Sequence, residues 1–336
     1  MRGSGFNGWF VGFLVHLAFQ AQRGSDDNRA IECPQLRFLL RKRHLCTNKV
    51  HLIKLESSEN RRGSIMGRLP WDMNGKVVVV TGGNAGIGMG FARGIARAGG
   101  DVIIWGRRQE KNEEAAAELR ALGVRVLAQE VDVSDEARVI AAMNEAVETM
   151  GRVDGLIANA GLMRHTGSFL DMTSEAWHGL LAVNQHGAMY AAREAARHMK
   201  NRFDAGDPGG SILFCASLSA ITGSIGMQHY NASKGAMAAL ARGIATDLGR
   251  YGIRANTVCP GYTESETVKD RGPDSPLGAQ VRERNPIPRF GTADDFEGIG
   301  VYFMSDASRY HTGDLVRVDG GWMANAGKNN LAAGRG

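Results

Sequence analysis

Tyr230 and Lys234 are the two residues whose types and spacing first indicate chemistry in this sequence. On a helix, residues four apart are neighbours. A positive charge beside a phenol favours the phenolate and lowers the pKa of the phenol, so the pair could exchange a proton with a ligand. The residues between them are small and would let a bound molecule approach the backbone. An ordinary surface helix remains the alternative interpretation for this pair taken alone.

The elements that must position this pair begin near Lys76, where short apolar runs start to alternate with helical stretches. The seven strand candidates are KVVVVTGG, DVIIWG, VRVLAQEVDV, VDGLIANAG, GSILFCAS, IRANTVCPG and LVRVDGG. Apolar strands joined by helices are typical of a parallel sheet covered on both faces. The pattern predicts one doubly wound α/β domain over residues 66–325, with a long helical span from Ser174 to about Lys200.

Two segments break this alternation near the carboxyl end of the chain. Residues 262–291 are rich in proline and carry mixed charge. A long irregular segment in such a fold is usually a lid or a binding loop, so we expect 262–291 to form a substrate loop. Residues 326–336 are expected to form a flexible tail.

The first 65 residues differ in composition from the rest of the chain. They hold 11 Lys and Arg against 5 Asp and Glu, so the net charge of +5 belongs to them, and the body gives no reason to expect a nucleic-acid partner. The apolar run at 8–19 is too short to span a bilayer. A targeting segment, a membrane-surface helix and translated sequence upstream of a start at Met66 all fit. The third is favoured, and 1–65 are excluded from the predicted fold.

The four cysteines are Cys33, Cys46, Cys215 and Cys259. They form no CxxC motif and no cluster with histidine, so the sequence predicts neither a disulfide framework nor a metal site. A reducing compartment fits this usage best, and we expect a cytoplasmic location.

The stretch TGGNAGIG, residues 81–88, follows the first strand and opens the first helix. Glycines at such a turn let the backbone approach a pyrophosphate, which then lies on the free N–H groups of the helix. The spacing of Gly82, Gly86 and Gly88 is wider than the usual GxGxxG pattern. The turn therefore indicates a dinucleotide site of a different kind.

The second strand ends in Gly106, Arg107 and Arg108, at the place where an NAD site would carry a carboxylate. A carboxylate repels a 2′-phosphate, whereas a guanidinium can hold it by charge-assisted hydrogen bonds. The two arginines could instead face solvent. The sequence favours NADP(H) over NAD(H).

Together, TGGNAGIG, the ANAG that ends at Gly161, Ser217 thirteen residues before Tyr230, the CPG that ends at Gly261 and VRVDGGW resemble the classical short-chain dehydrogenase/reductase family. The resemblance covers about 255 residues. It implies a Rossmann-type fold and an NAD(P)(H)-dependent oxidoreductase that interconverts a secondary alcohol and a ketone, on a 3-oxoacyl, sugar, polyol or other ketone substrate. A non-catalytic dinucleotide sensor on the same fold is the alternative, but it would predict loss of Ser217, Tyr230 or Lys234.

The resemblance also implies a role for each residue of the site. Tyr230 would be the general acid or base, Lys234 would lower its pKa and bind the nicotinamide ribose, Ser217 would bind the substrate oxygen, and Asn184 would support a relay water. Thr263, or alternatively Ser265, would lie near the carboxamide. The residues expected to bind cofactor are Thr81, Gly82, Asn84, Gly86, Ile87, Gly88, Arg107, Asp132, Val133, Asn159, Ala160, Gly161, Tyr230, Lys234, Pro260, Gly261 and Thr263.

The partners implied by the resemblance are a small-molecule substrate and further copies of the chain. A homotetramer or homodimer would form through the helix that ends near Met199 and the helix that carries Tyr230. No membrane contact is expected. Two histidines are close to the site in sequence: His229 adjoins Tyr230, and His165 follows the NAG motif. Neither is assigned a role.

Overall fold

The computed structural model describes residues 69–264 and 275–325. The leader at 1–65, the tail at 326–336 and the alternative hydroxyl of Ser265 lie outside the described residues. The expectations for these segments, and for the domain boundaries that depend on them, stay predictions.

All seven predicted strands are present and pair in parallel. The sheet order is β3-β2-β1-β4-β5-β6-β7. The strands are β1 (Val77–Thr81), β2 (Asp101–Gly106), β3 (Val126–Glu130), β4 (Gly155–Ala158), β5 (Gly210–Cys215), β6 (Ile253–Pro260) and β7 (Leu315–Val318). The predicted doubly wound, Rossmann-type sheet is confirmed.

Helices cover both faces of this sheet. They are α1 (Gly86–Arg97), α2 (Gln109–Arg120), α3 (Glu136–Met150), α4 (Ser174–Leu181), α5 (Ala188–Asp204), α6 (Gln228–Leu248), α7 (Pro276–Arg284) and α8 (Glu297–Met304). Alternate residues of β1 serve the two faces, because successive side chains of a strand point to opposite sides. Val77 and Val79 pack in the core with α3, α5 and α6, and Val78 and Val80 pack in the core with α1, α2 and α8. An unbroken apolar strand is thus what two covered faces require.

The helical span predicted from Ser174 to about Lys200 is interrupted in the structure. A π-helical turn, Ala182–Gly187, separates α4 from α5. A single π turn inside a helical run is rare and often marks a functional site. Here it carries Asn184, whose side chain is fully buried.

The proline-rich segment 262–291 is more regular than the sequence analysis predicts. Its described part contains α7, which begins at Pro276 after the N-cap Ser275, and the Ser275 side chain accepts a hydrogen bond from the Gly278 N–H at 3.1 Å. Serine at the N-cap followed by proline is a helix start signal, because proline lacks only an N–H that would be unpaired there. The expectation of an irregular loop is therefore wrong for 276–284.

Within residues 69–264 and 275–325, no helix combines the length and the apolar character needed to cross a membrane.

The helix α1 packs closely against the chain that leads into α8. A methyl group added at Gly90 would overlap the carbonyl oxygen of Ala293, and one at Gly94 would lie 2.6 Å from the carbonyl oxygen of Glu297. These obstacles are backbone atoms, which cannot rotate away. The two glycines therefore set the distance between α1 and α8, and with it the position of the α1 amino end.

We predict that Gly90→Ala lowers the free energy of unfolding by roughly 1–3 kcal/mol, the usual penalty for overpacking. Gly298→Ala is the matched control, since Gly298 lies in α8 and an added methyl group meets nothing within 4 Å. Alanine is also the better helix former there. Chemical denaturation of both variants measures the difference. Equal stability of the two variants would contradict the packing argument.

Candidate active site

The predicted site residues converge at the carboxyl edge of the sheet, around β1 and β4. The strand order runs from β1 toward β3 on one side and from β4 toward β7 on the other. In an open α/β sheet this reversal leaves a crevice between the outgoing loops, and ligands bind there. A cleft of about 180 Å³ occupies this place, between residues that include Gly82, Arg107, Asp132 and Gly161.

The floor of the cleft is the turn between β1 and α1. Gly82 and Gly86 have φ angles of +64° and +51°, a region that favours glycine. The α1 N-cap, Ala85, provides no side-chain cap, and the first turn of α1 holds no acidic residue. The N–H groups at the start of α1 are thus open to an anion. Thr81, Asn84, Ile87 and Gly88 lie in or beside this turn, as predicted.

A buried amide that the sequence analysis missed supports this turn. The fully buried Asn112 of α2 accepts a hydrogen bond from Asn84 Nδ2 at 2.6 Å and donates to the carbonyl oxygens of Gly106 at 2.9 Å and Gln129 at 3.0 Å. A Cβ atom at Gly106 would lie 2.5 Å from Asn84 Nδ2. The available signal was a helix-disfavouring asparagine within the strong helix former EKNEEAAAELR.

Arg107 and Asp132 line the same cleft, together with Val133. The Asp132 carboxylate accepts hydrogen bonds from Ser134 N at 2.9 Å and Ser134 Oγ at 2.7 Å. Burial alone would raise the pKa of Asp132, but the bonds from Ser134 and the nearby charge of Arg107 lower it below its usual value. The Arg107 side chain is therefore near the Asp132 carboxylate. It lines the cleft and does not only face solvent.

The ends of β1 and β4 are joined by Thr81 and Asn159. The Thr81 hydroxyl oxygen accepts two backbone hydrogen bonds, from Asn159 N at 3.0 Å and Ala160 N at 2.9 Å. The Asn159 side chain donates to the carbonyl oxygens of Thr81 at 3.0 Å and Gly82 at 3.2 Å. Both side chains act here on the backbone, which fixes the width of the crevice.

Asn184 connects the loop after β4 to the helix that carries Tyr230. Its Oδ1 accepts from Leu162 N at 2.7 Å, and its Nδ2 donates to Leu162 O at 2.9 Å and to Ser233 Oγ at 3.3 Å. A Cβ atom at Gly161 would lie 3.4 Å from both Asn184 Oδ1 and Lys234 Nζ. The structure therefore brings Gly161, Asn184 and Lys234 together, as the sequence analysis expects.

Ser217, Tyr230 and Lys234 meet where β5 ends beside α6. Ser217 precedes a 3₁₀ turn, Leu218–Ala220, where its Oγ accepts from Ser219 N at 3.2 Å, and its side chain is near enough to Tyr230 to act on the pKa of the phenol. The Lys234 ammonium lies 5.6 Å from the centre of the Tyr230 ring and donates to the carbonyl oxygen of Cys215 at 2.8 Å. A hydroxyl, a phenol and an ammonium group thus surround one point at the edge of the cleft.

The end of β6 completes the edge of the sheet. Gly261, after Pro260, donates its N–H to Val318 O at 2.9 Å, and a Cβ atom at Gly261 would lie 2.7 Å from Asp319 Cα. Thr263 is buried and donates from its hydroxyl to Gly261 O at 3.2 Å. Thr263 lines the neighbouring cavity between Tyr262 and Gly320, and not the cleft itself.

Comparisons with known proteins agree with this geometry. Residues 82–323 match the family described as enoyl-(acyl carrier protein) reductase. L-rhamnose 1-dehydrogenase (NAD(P)(+)) of Sphingomonas sp. (strain SKA58) is 36% identical over 254 residues, which are 75% of this chain and 98% of the relative. The 2-dehydro-3-deoxy-D-gluconate 5-dehydrogenase of Escherichia coli (strain K12) is 32% identical over 254 residues, which are 76% of this chain and 98% of the relative.

A solved structure gives the same result. The crystal structure of a gluconate 5-dehydrogenase from Burkholderia cenocepacia J2315 in complex with NADP and tartrate is similar with a TM-score of 0.72 at 32% identity, over 76% of this chain and 98% of that chain. The chain belongs to the classical short-chain dehydrogenase/reductase family. It is an NAD(P)-dependent oxidoreductase that acts on CH–OH groups, and the named relatives give no support to a non-catalytic sensor.

Burial shifts the pKa values of both central groups of this dehydrogenase/reductase toward the neutral forms. It raises the pKa of Tyr230 to about 12, although the nearby Ser217 hydroxyl acts in the opposite direction. It lowers the pKa of Lys234 below its usual value. The sequence analysis expects a lowered pKa for Tyr230, and that is not found, because loss of solvent outweighs the neighbouring groups. Lys234 is directed at the Cys215 carbonyl oxygen and is not among the groups that shift the phenol.

The described residues of the site suit a dinucleotide. The uncapped start of α1 suits a pyrophosphate, and a Cβ atom at Gly82 would lie 3.0 Å from Asn159 Nδ2, so a larger residue would close the turn. The two body cysteines take no part: burial raises the pKa of each thiol, Cys215 and Cys259, to about 11 and keeps it protonated.

We predict that Thr81→Val destabilises the protein by roughly 1–3 kcal/mol, because two N–H groups lose their only side-chain acceptor. Thr81→Ser keeps the hydroxyl and serves as the control. Denaturation measures the free energy of unfolding, and fluorescence titration measures the dissociation constant of NADPH, which we expect to rise in the valine variant. If valine and serine behave alike, the hydroxyl does not join β1 to β4.

Proposed function

We propose that this dehydrogenase/reductase interconverts a secondary alcohol and a ketone of a sugar- or polyol-type substrate at Ser217, Tyr230, Lys234 and Asn184, with NADP(H) preferred over NAD(H). The observation that carries the proposal is the meeting of Ser217, Tyr230 and Lys234 at the edge of the cleft that contains Arg107. The named relatives support the substrate class, since their names refer to rhamnose, gluconate and a dehydrodeoxygluconate.

Tyr230 holds the proton that is exchanged with the substrate oxygen. In reduction its phenol donates this proton to the forming alkoxide, and in oxidation the phenolate accepts it from the alcohol. Ser217, which lies near Tyr230, also donates toward the substrate oxygen and stabilises the charge that develops there. The half-buried phenol, with its pKa near 12, is fully protonated at neutral pH, which suits the reductive direction.

Lys234 and Asn184 keep this pair in position and supply protons to it. The buried ammonium lies 5.6 Å from the centre of the phenol ring and donates to the carbonyl oxygen of Cys215, so it holds α6 against the end of β5. Asn184 bonds both the N–H and the carbonyl oxygen of Leu162, and it donates to Ser233 on α6, the helix that carries Tyr230. It therefore sets the distance between the loop after β4 and Tyr230. A water bound between these groups would return the proton to Tyr230.

NADP(H), when bound, supplies or accepts the hydride. The start of α1 would hold the pyrophosphate, Asp132 and Val133 the adenine side, and Arg107 the 2′-phosphate. Lys234, Tyr230 and Thr263 would hold the nicotinamide side. The other residues assigned to the cofactor would contact it from the turn between β1 and α1, from the loop after β4 and from the end of β6. They are Thr81, Gly82, Asn84, Gly86, Ile87, Gly88, Asn159, Ala160, Gly161, Pro260 and Gly261.

We predict that Tyr230→Phe lowers kcat about 10²- to 10⁴-fold, the usual share of a general acid or base, and changes the dissociation constant of NADPH far less, because the ring and the other cofactor residues stay in place. In the wild-type enzyme, oxidation should speed up as the pH rises toward the pKa of Tyr230, because phenolate is the base. Reduction should not depend on this group near neutral pH. Steady-state rates in both directions from pH 6 to 10 measure this. Activity of the phenylalanine variant within a few-fold of wild type would contradict the assignment.

We predict that Arg107→Gln weakens NADPH binding about 10- to 100-fold, the worth of a charge-assisted hydrogen bond, and leaves NADH binding unchanged. Arg250→Gln is the control, since Arg250 follows the carboxyl end of α6, away from the cleft. Titration of tryptophan fluorescence with each nucleotide measures both constants. An equal loss for the two nucleotides, or a wild-type preference for NADH, would overturn the choice of NADP(H).

Three further expectations stay predictions: a homotetramer or homodimer, a cytoplasmic location and the binding of substrate by 262–291.

A further inference from the structure

Two loops border Tyr230 at the carboxyl edge of the sheet. The first, residues 159–173, follows β4 and ends at α4. The second, residues 216–227, contains Ser217 and leads into α6. Asn184 bonds both the first loop and α6. A substrate whose oxygen lies between Ser217 and Tyr230 therefore has these two loops as its neighbours.

The two loops are fixed to each other at Gly226. Thr166 donates its N–H to Gly226 O at 2.9 Å and its hydroxyl to the same oxygen at 3.2 Å. The φ angle of Gly226 is +69°, and a Cβ atom there would overlap the His165 ring. That ring is held in turn, since its Nδ1 accepts from Gly167 N at 3.2 Å. The chain itself thus sets the separation of the two loops.

The hydroxyl groups of the second loop, apart from Ser217, are bonded within the loop. Thr222 donates to Leu218 O at 3.0 Å, and the hydroxyls of Ser219 and Ser224 lie 3.5 Å apart in a hydrogen bond. A hydroxyl group buried without a hydrogen-bond partner is costly. The second loop therefore has little to offer to the several hydroxyl groups of a sugar.

The same loops expose large apolar side chains, which we call the apolar rim. These side chains are Met163, Phe169, Leu170, Ile221 and Ile225. Leu170 is 91% exposed and Ile225 is 89% exposed, so neither contributes to the core. A folded protein rarely exposes several large apolar side chains together, and such a surface usually marks a binding site. Here it borders the proposed catalytic residues.

The charge of the two loops fits a neutral ligand group. The second loop contains no charged residue, and the first carries one arginine, Arg164, and one aspartate, Asp171. Their charges cancel. A polyol is neutral as well, but its hydroxyl groups gain nothing from contact with Ile221 or Ile225. An aryl or alkyl group is stabilised there, because its apolar surface leaves water.

We propose that the enzyme also reduces ketones that carry an aryl or alkyl group, and that the apolar rim binds this group. The carbonyl carbon takes the hydride of NADPH, the oxygen takes the proton of Tyr230, and Tyr230 regains a proton from solvent. Ketone, NADPH and H⁺ thus give the secondary alcohol and NADP⁺. The inference rests on the proposed function of Ser217 and Tyr230, and it adds a substrate class to the sugars and polyols.

The first experiment compares 4-phenyl-2-butanone with 2-butanone as substrates of the full chain with NADPH. The two share the reacting methyl ketone and differ by one phenyl group. We expect kcat/KM to favour the phenyl ketone about 10- to 100-fold, the gain from burying one large apolar group. Equal values for the two ketones, or no reduction of the phenyl ketone, overturn the proposal.

The second experiment removes apolar surface from the rim. In the double variant Ile221→Thr, Ile225→Thr, the β-branched shape is kept and the ratio of the two kcat/KM values should fall about 10-fold. Leu122→Thr is the matched control, because Leu122 is also exposed but lies in the turn before β3, at the opposite edge of the sheet. Its ratio should equal that of the wild type. An unchanged ratio in the double variant, or an equal fall in the control, overturns the assignment of the rim.

A third measurement needs no turnover, because NADP⁺ cannot reduce a ketone. Calorimetric titration of the NADP⁺-loaded chain with 4-phenyl-2-butanone at two temperatures gives the heat-capacity change of binding. Burial of apolar surface makes this change negative, and the double variant should make it smaller. No binding, or an enthalpy that does not depend on temperature, overturns the proposal.

Other molecules could cover an apolar surface, and they give different results. If a second copy of the chain or a lipid surface covers the rim, the double variant changes the oligomeric state in size-exclusion chromatography or the binding to phosphatidylcholine vesicles. The ratio for the two ketones then stays at the wild-type value, which overturns the proposal.

The proposed function is tested separately by the oxidation of D-glucitol with NADP⁺. A chain that oxidises D-glucitol but does not prefer the phenyl ketone refutes this inference and leaves the proposed function in place. A chain that binds neither NADPH nor NADH refutes the proposed function itself, so the two failures are distinguishable.

Discussion

The parallel pairing of β1 with β4, at the point where the strand order reverses, is the constraint on which the site depends. All seven strands end at one edge, so the segments that follow them must meet there. Thr81 adds a local restraint, because one hydroxyl oxygen accepts both N–H groups that follow β4. The turn before α1, the loop after β4 and the end of β5 therefore keep fixed separations. The distance between a pyrophosphate on α1 and a substrate at Tyr230 follows from those separations.

Burial is the second determinant of the chemistry, and it acts on a phenol and an ammonium side by side. Removing solvent disfavours phenolate and disfavours ammonium alike, so the pKa of Tyr230 rises and that of Lys234 falls. Within the described residues, the Lys234 ammonium is met by the carbonyl oxygen of Cys215 and the sulfur of Met237, with no carboxylate. A neutralising carboxylate would cancel the field that a developing phenolate needs. The ammonium is therefore held by neutral acceptors alone, and burial lowers its pKa below the usual value.

The fold could be predicted because each strand is an uninterrupted apolar run that two covered faces demand. The meeting of Ser217, Tyr230 and Lys234 at one place could be predicted because their types and order form a specific pattern. Three features could not. The π turn at Asn184 depends on tertiary contacts with Leu162 and Ser233, and the periodicity of a helix carries no information about such contacts. The support of Asn84 by Asn112 joins residues of different elements. The raised pKa of Tyr230 reflects burial, which neighbours in sequence do not specify. The start of α7 did carry a signal, Ser275 followed by Pro276, but mixed charge and further prolines obscured it.

The two halves of the site are built differently, and this difference bears on specificity. The cofactor half consists of backbone groups and buried amides, in which a single Cβ atom at Gly82 or Gly106 would collide with a neighbour. The loop after β4, which lies beside Tyr230, exposes the side chains of Met163 to His165, and exposed loop side chains can change without disturbing the sheet. Leu162 at the base of this loop is tied to Asn184 through its backbone atoms alone, so that tie does not depend on the side chains that follow. Relatives of 32–36% identity can thus share one hydride-transfer site and, by name, act on both a neutral sugar and sugar acids.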